Sequence, residues 1–420
     1  MARGIRHCFG PAAALLVVLL CGSRAMVGSD QLPRKPKIRA VTAFIKVDRS
    51  QYQEQIAEAV SVLRGAKAKF EKSGYEVQTL RITTQPFPQY TQGLSRKEAL
   101  DLFGALDRLA NGDSVIINIG PALLSDADDQ NQDGLLGEIL STTGLFGSVV
   151  VAGEDGIHWS SIRAAARLIK YVEGHSQRGG HNFNFAASAM VPPYAPFFPA
   201  SYHTGEGHQF SVGLEGGNFV FDIFAAAGGD FRVAEERLGA GLNEQARAIE
   251  AIALKIEKDT GWSYVGLDPT PAPSFDSSIG AAIEKLNGAK FGSSGTMSVA
   301  ALITSAVRGV EAKRAGFAGL MLPPLEDPVL AQRWAGGTYD IDSLLAYSAV
   351  CGTGLDTVPL PGDVSEEQLA KIIGDVASLA FKWRKPLTAR LIPVPGKKAG
   401  ENSGSFGPPG MPSTTLRAVP

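Results

Sequence analysis

The chain has 420 residues, 44% of them hydrophobic, enough to bury one large core or two modest ones, so small size sets no limit on the fold. Lysine and arginine total 40 against 42 acidic residues, a formal net charge of -2, and no global field favours a nucleic-acid or anionic-membrane partner. A small neutral or singly charged ligand fits that balance better, and the 48 glycines and 25 prolines point to tight turns between short elements rather than disorder.

At the start, Arg3 and Arg6 precede the apolar run Ala12 to Leu20, and Ser23-Arg24-Ala25 supplies small residues at signal-peptidase spacing. The expectation is an exported protein, periplasmic or secreted, with a signal peptide at 1–25. The run is shorter than the roughly 20 residues of a spanning helix, which makes an uncleaved anchor the competing reading. No later run approaches that length, so no stable membrane span is expected after cleavage. Removal of Cys8 and Cys21 leaves Cys351 alone and excludes an intramolecular disulfide.

A proline-rich tether occupies 26–36, a single α/β domain 37–395 and a Gly/Pro-rich tail 396–420. Lys37 to Val47 shows β-branched alternation, and Gln53 to Lys72 places Ile56, Val60, Leu63 and Phe70 at helical spacing. The rhythm continues with strand 76–83, helix 95–110, strands 114–119 and 147–152, helix 160–173 and strand 184–189. The second half reads as a long helical region 230–258, strand 263–268, helices 277–286, 298–312 and 342–350, strand 356–360, helix 365–383 and strand 388–393. Such alternation implies a largely parallel sheet covered by helices, with about nine or ten strands in a barrel or a large wound sheet.

Three stretches carry candidate chemistry. Val191 to Phe210 packs aromatics, prolines, two histidines and a carboxylate into one loop, where His203, Glu206 and His208 are close enough in sequence to converge on a metal or a substrate proton. The competing reading makes the aromatics core and the histidines surface residues. Ser125 to Glu138 contains Asp129-x-Asn131-x-Asp133-Gly134, the opening of a calcium loop, although Leu140 stands where a bidentate Glu belongs. A divalent metal there competes with a plain solvated acidic loop.

In the C-terminal half, glycine-rich turns follow strands, and in a parallel architecture they gather on one rim, bringing Ser277, Thr296, Asp356, Asp363 and Lys397 together. Ser294-Gly295-Thr296 has the form of an anion-binding turn opening a helix, against capping by Ser298 and tight turning at Gly295. Cys351, beyond an apolar helical run, is either a nucleophile or a small buried hydrophobe.

The phrases PTPAPSFDSSIG, GTMSVAALIT, CGTGLDTVPLPGD and ARLIPVPGKKAGE resemble motifs of the domain-of-unknown-function family 711, with the resemblance covering roughly Lys37 to Glu401. It implies a barrel-like α/β fold of about ten strands with surrounding helices, similar to pyruvate formate-lyase and other glycyl-radical enzymes, and no established reaction. Radical chemistry is not expected, because the nearest candidate glycine loop, Ser403 to Met411, does not match and Cys351 has no partner cysteine. The functional expectation is a small-molecule hydrolase or lyase, acid/base or metal-assisted, with His203, Glu206 and Cys351 catalytic at the C-terminal rim of the sheet. The alternative is a non-catalytic exported solute-binding protein.

Overall fold

The computed structural model describes residues 32–405 and 410–419. The segment read as a signal peptide lies outside them. Ten strands form one sheet: β1 (Lys37–Ile45), β2 (Val77–Thr84), β3 (Ile116–Pro121), β4 (Phe146–Gly153), β5 (Gly156–Ile157), β6 (Phe185–Ala189), β7 (Gly207–Glu215), β8 (Ser263–Ala272), β9 (Gly354–Pro361) and β10 (Leu387–Val394). Their order is β8-β7-β1-β2-β3-β4-β6-β10-β9, with β5 hydrogen-bonded to β4.

Strand direction divides this sheet. β1, β2, β3, β4 and β6 are mutually parallel, whereas β7 pairs antiparallel with β1 and β10 antiparallel with β6. β8 runs with β7 and β9 with β10, so two pairs descend on either side of five ascending strands. Carboxyl ends are thereby split between an upper mouth, where β1 to β4 and β6 finish, and a lower mouth, where β7 to β10 finish.

The free edges of β8 and β9 are joined by the segment 313–322. Leu267 N–H donates to the Lys313 carbonyl at 2.8 Å and Ala315 N–H donates back to Leu267 at 2.9 Å. On the other side Thr353 Oγ1 donates to the Leu320 carbonyl at 2.9 Å. Gly319 and Gly352 cross so closely that a Cβ on Gly319 would stand 2.5 Å from Gly352 Cα, which only glycine permits. The segment thus closes the sheet into a barrel, without a regular ladder on either side.

Helices cover the outside because the outward residues of each strand are apolar: Val41, Ala43 and Ile45 of β1, and Leu355, Val358 and Leu360 of β9, join the main core beneath them. The Gln132–Thr142 helix occupies a stretch read from sequence as an acidic loop, and β7 falls in one read as loop. At the lower mouth Leu416 of the tail packs with Leu325, Ile392 and Val394. Among the described residues no helix is long and apolar enough to cross a membrane.

Candidate functional site

Inward-facing residues are mostly polar, and they hold a finger of chain. The segment between β6 and β7 leaves the upper mouth, descends into the barrel and returns to the same mouth, which is why β7 must run antiparallel to β1. Thr42 Oγ1 donates to the Pro196 carbonyl at 2.9 Å, Asn118 Nδ2 to the Pro199 carbonyl at 2.6 Å, and the Thr83 and Ser201 hydroxyls lie 2.8 Å apart. A barrel wall of threonines and asparagine thus satisfies buried carbonyls of an irregular segment. The prolines and aromatics of this stretch fill the barrel.

Between the finger tip and the lower mouth remains a cavity of about 50 Å³, bounded by Arg39, Phe197, Phe198, Glu326, Asp356 and Arg390. Two β-bulges aim its charged groups inward. The register of β1 against β7 shifts between Ile38 and Ala40, turning Arg39 to the interior, and that of β9 against β10 shifts where Thr357 adopts φ 44°, next to Asp356. Arg390 Nη1 donates to both Asp356 Oδ1 at 2.7 Å and Glu326 Oε1 at 3.0 Å, and Nη2 to the Phe183 carbonyl at 2.8 Å. Arg39 reaches Glu326 Oε2 at 3.2 Å and lies 3.6 Å from Glu215. Burial holds the Asp356 carboxyl above the usual carboxylate range, with Arg390 opposing and Glu326 reinforcing that shift.

Arg81 differs from both. Its guanidinium is buried over the Phe198 ring, 5.0 Å from the centroid, and Nε donates to Thr79 Oγ1 at 3.0 Å. Among the described residues neither Nη1 nor Nη2 has a hydrogen-bond partner, and no carboxylate lies within ion-pair distance. Burial, then the neighbouring charge of Arg39, push its pKa down to about 9, so it still carries its charge at neutral pH. These arginines escaped the sequence reading because an arginine within a strand passes for a solvent-facing residue. The signal was present: in a parallel strand covered by helices there is no solvent face, so Arg81 must point into an interior.

The residues singled out from sequence fall in several places. His203 is fully buried, its Nε2 donating to the Ile45 carbonyl at 2.6 Å, while Glu206 is exposed and pairs with Lys46 at 2.6 Å. His208 faces outward near Glu58 at 3.5 Å, so the three do not converge. Cys351 is buried, its thiol pushed up to about 11 chiefly by that burial, which leaves no thiolate for nucleophilic attack at neutral pH.

Ser277 Oγ accepts from Asn218 N–H at 2.9 Å, and Thr296 Oγ1 accepts from Gly292 N–H at 3.1 Å. The Ser294-Gly295 turn is packed against Asn287, whose Nδ2 donates to the Ser294 carbonyl at 3.1 Å, and Gly295 rather than Ser298 precedes the helix Thr296–Arg308. Asp363 is exposed, and Lys397 pairs with Glu401 at 3.6 Å. Of the rim candidates, Asp356 alone lines the cavity.

The calcium-loop expectation needs correction. Asp129 accepts from Asn131 N–H at 3.1 Å in a local turn, whereas Asp133, inside a helix, faces Arg167 at 2.8 Å. Their oxygens therefore do not surround one point, and among the described residues no group of three or more His, Cys, Asp or Glu side chains is arranged to hold a metal ion.

Burial also holds the His203 imidazole below its ordinary pKa, so it is neutral in the folded state. The unfolded chain takes up the proton first, near pH 6.5, and stability is lost as pH falls below that value. In His203→Gln the decline in melting temperature between pH 7 and pH 5 is expected to be shallower than in the parent. Parallel pH profiles would remove His203 from this role.

Residues 31–404 match the model of the family DUF711, described as an uncharacterised ACR. The chain belongs to this family. A UPF0210 protein of Pyrobaculum arsenaticum is 30% identical over 357 residues, covering 81% of this chain and 78% of its own. UPF0210 proteins of Acetivibrio thermocellus and Methanocaldococcus jannaschii are 27% and 25% identical, covering 78% and 83% of this chain and 76% and 81% of their own. Among solved structures an anaerobic ribonucleotide reductase is similar with a TM-score of 0.42 at 9% identity, over 84% of this chain and 70% of that one.

These findings correct the expectation of an exported hydrolase or lyase, or an exported solute-binding protein, with a site at the C-terminal rim. DUF711 carries no assigned chemistry, and its relatives in archaea and bacteria are named only as UPF0210 proteins, with nothing said of export. Opposed strand directions, moreover, leave no single carboxyl rim.

Proposed function

We propose that this DUF711 protein binds a small organic anion inside its barrel, between the finger tip and the lower mouth. One observation carries the reading: Arg81 is a buried residue whose Nη hydrogens have no protein partner among the described residues, and its guanidinium lies over Phe198, which lines an interior cavity that Arg39 and Arg390 also line. Burying a charge without a partner costs several kcal/mol, and a closed structural ion network would satisfy its own members. Arg390 and Arg39 have carboxylate partners, although among the described residues the buried Nε of Arg390 has no acceptor of its own. An anion seated against Arg81 offsets its cost. The space, about 50 Å³, suits a molecule of about three to five heavy atoms, by comparison with the volume a single water needs.

Thermal unfolding and calorimetric titration with acetate and inorganic phosphate test this. One of these anions should raise the melting temperature of the parent, by about 2.7 kcal/mol of stabilisation at a hundredfold excess over its Kd. Arg81→Met should abolish the response while unfolding, ligand-free, no lower than the parent, because an unpaired buried charge has been removed. No response from the parent to either anion, or a ligand-free variant much less stable than the parent, would count against the proposal.

A further inference from the structure

The upper mouth carries an open cleft of about 510 Å³ where β6 ends and β10 begins, whereas the interior cavity lies toward the lower mouth. Phe317 of the closing segment borders both spaces. Four of the twelve residues lining the cleft are cationic, Arg308, Arg314, Arg384 and Lys385, and none is acidic, in a chain whose formal net charge is -2. Part of that charge is answered locally. Lys385 Nζ donates to the carbonyls of Ser348 at 2.6 Å, Ala349 at 3.3 Å and Cys351, at the end of the Ile341–Val350 helix. Arg384 pairs with Glu154 at 2.6 Å. Arg314 Nη1 donates to the Arg308 carbonyl at the end of the Thr296–Arg308 helix, but among the described residues neither arginine has a carboxylate within ion-pair distance. Arg308 stands close enough to add to the fall that burial imposes on Lys385, whose pKa is pushed down to about 8. Three helices end at this cleft, and at roughly half a negative charge each they leave it positive even with Glu154 counted.

Two guanidinium charges without carboxylates match the charge of about -2 on a phosphate monoester, whose oxygens accept the paired donors of an arginine fork. The cleft also offers a planar surface. Trp383, the last residue of the Glu366–Trp383 helix, lines it and is 60% exposed. The neighbouring Arg384 lies over Phe381 instead, 5.4 Å from the ring centroid, and among the described residues no cation or aromatic ring covers the indole. An open indole takes a flat ring against its face, where stacking works for any base. We propose that this cleft is a second binding site, separate from the interior one, for a phosphate monoester bearing a planar base, of mononucleotide size, with its phosphate on Arg308 and Arg314 and its base against Trp383. The cleft has the volume of a small-molecule site. A mononucleotide far exceeds the interior cavity of about 50 Å³, so it has no place there.

Adenosine monophosphate, ribose phosphate and adenosine divide the two contacts between them. Calorimetric titration of the parent at low ionic strength should rank adenosine monophosphate first, about tenfold or more tighter than ribose phosphate, which lacks the base, and than adenosine, which lacks the phosphate. Trp383→Ala should bring the nucleotide down to the affinity of ribose phosphate, and Arg308→Gln with Arg314→Gln to that of adenosine. All three residues are exposed, so their replacement leaves the fold intact. Arg81→Met should leave nucleotide binding unchanged, which separates this site from the interior one. No binding of the nucleotide by the parent, equal affinity for it and either fragment, or binding that Arg81→Met removes would overturn the assignment of the cleft. Acetate binding at Arg81 is read independently, and its failure would leave the nucleotide ranking in place.

Discussion

Asp268→Asn should lower the melting temperature by about 5 °C or more, one of the largest losses available from a single isosteric change in this protein. Asp268 is fully buried on β8 and is the point at which the closing segment is fastened. Its Oδ1 accepts from Thr270 N–H at 3.1 Å, Thr270 Oγ1 at 2.6 Å and Ala318 N–H at 3.2 Å, and its Oδ2 from Phe317 N–H at 2.6 Å. Burial pushes its pKa up to about 6, so at neutral pH it is ionised and faces only donors. Asparagine keeps the shape but turns one acceptor into a donor. Whichever way the amide is flipped, its NH₂ confronts a backbone N–H that has lost its acceptor.

Breaking a buried charged hydrogen-bond set of this kind costs about 3–5 kcal/mol. The segment 313–322 is then held to β8 mainly by the exchange between Leu267, Lys313 and Ala315. Limited proteolysis should accordingly cut the variant within 313–322 faster than the parent. A variant that melts within a degree of the parent and resists cleavage equally would show that barrel closure does not depend on this carboxylate.

The alternating strands and amphipathic helices of the covered sheet were legible in sequence, since their periodicity is imposed by burial against neighbours. The resemblance to family 711 held, and with it the barrel-like arrangement. What periodicity cannot report is direction. β7 runs down because the finger between Val191 and Gly207 returns to the mouth it left, a tertiary fact with no local signature, and the expectation of one carboxyl rim failed with it. β7 itself was hidden by the prolines preceding it, and the Gln132–Thr142 helix by Asp133 in its first turn and the aspartates just before it. The segment 313–322 forms no regular ladder, so no strand pattern announces the barrel's closure. Asp356 stood out as a polar residue after a glycine turn, whereas its partner Arg390 read as part of an ordinary strand.

The finger itself supplies the other large effect. Phe197 is 5% exposed and belongs to a small apolar cluster with Val191, Ala195, Ala200, Ala272, Phe317 and Met321, separate from the main core. β7 makes room for it with Gly213, where a Cβ would stand 3.0 Å from the ring. Phe197→Ala is expected to cost about 3–4 kcal/mol, the transfer of the ring plus the cavity it leaves. Because the ring also bounds the candidate binding cavity, its loss enlarges that space by roughly the volume of a benzene molecule, a void that apolar walls keep dry and available to an aromatic guest.

Benzoate, too large for the parent cavity, should therefore stabilise Phe197→Ala and leave the parent's melting temperature unchanged. Arg81→Met combined with Phe197→Ala should lose that response, because the carboxylate of benzoate needs the same guanidinium as the smaller anions. Stabilisation of the parent by benzoate, or a double variant that still responds, would mean that the anion sits elsewhere and that the finger tip is not one wall of the site.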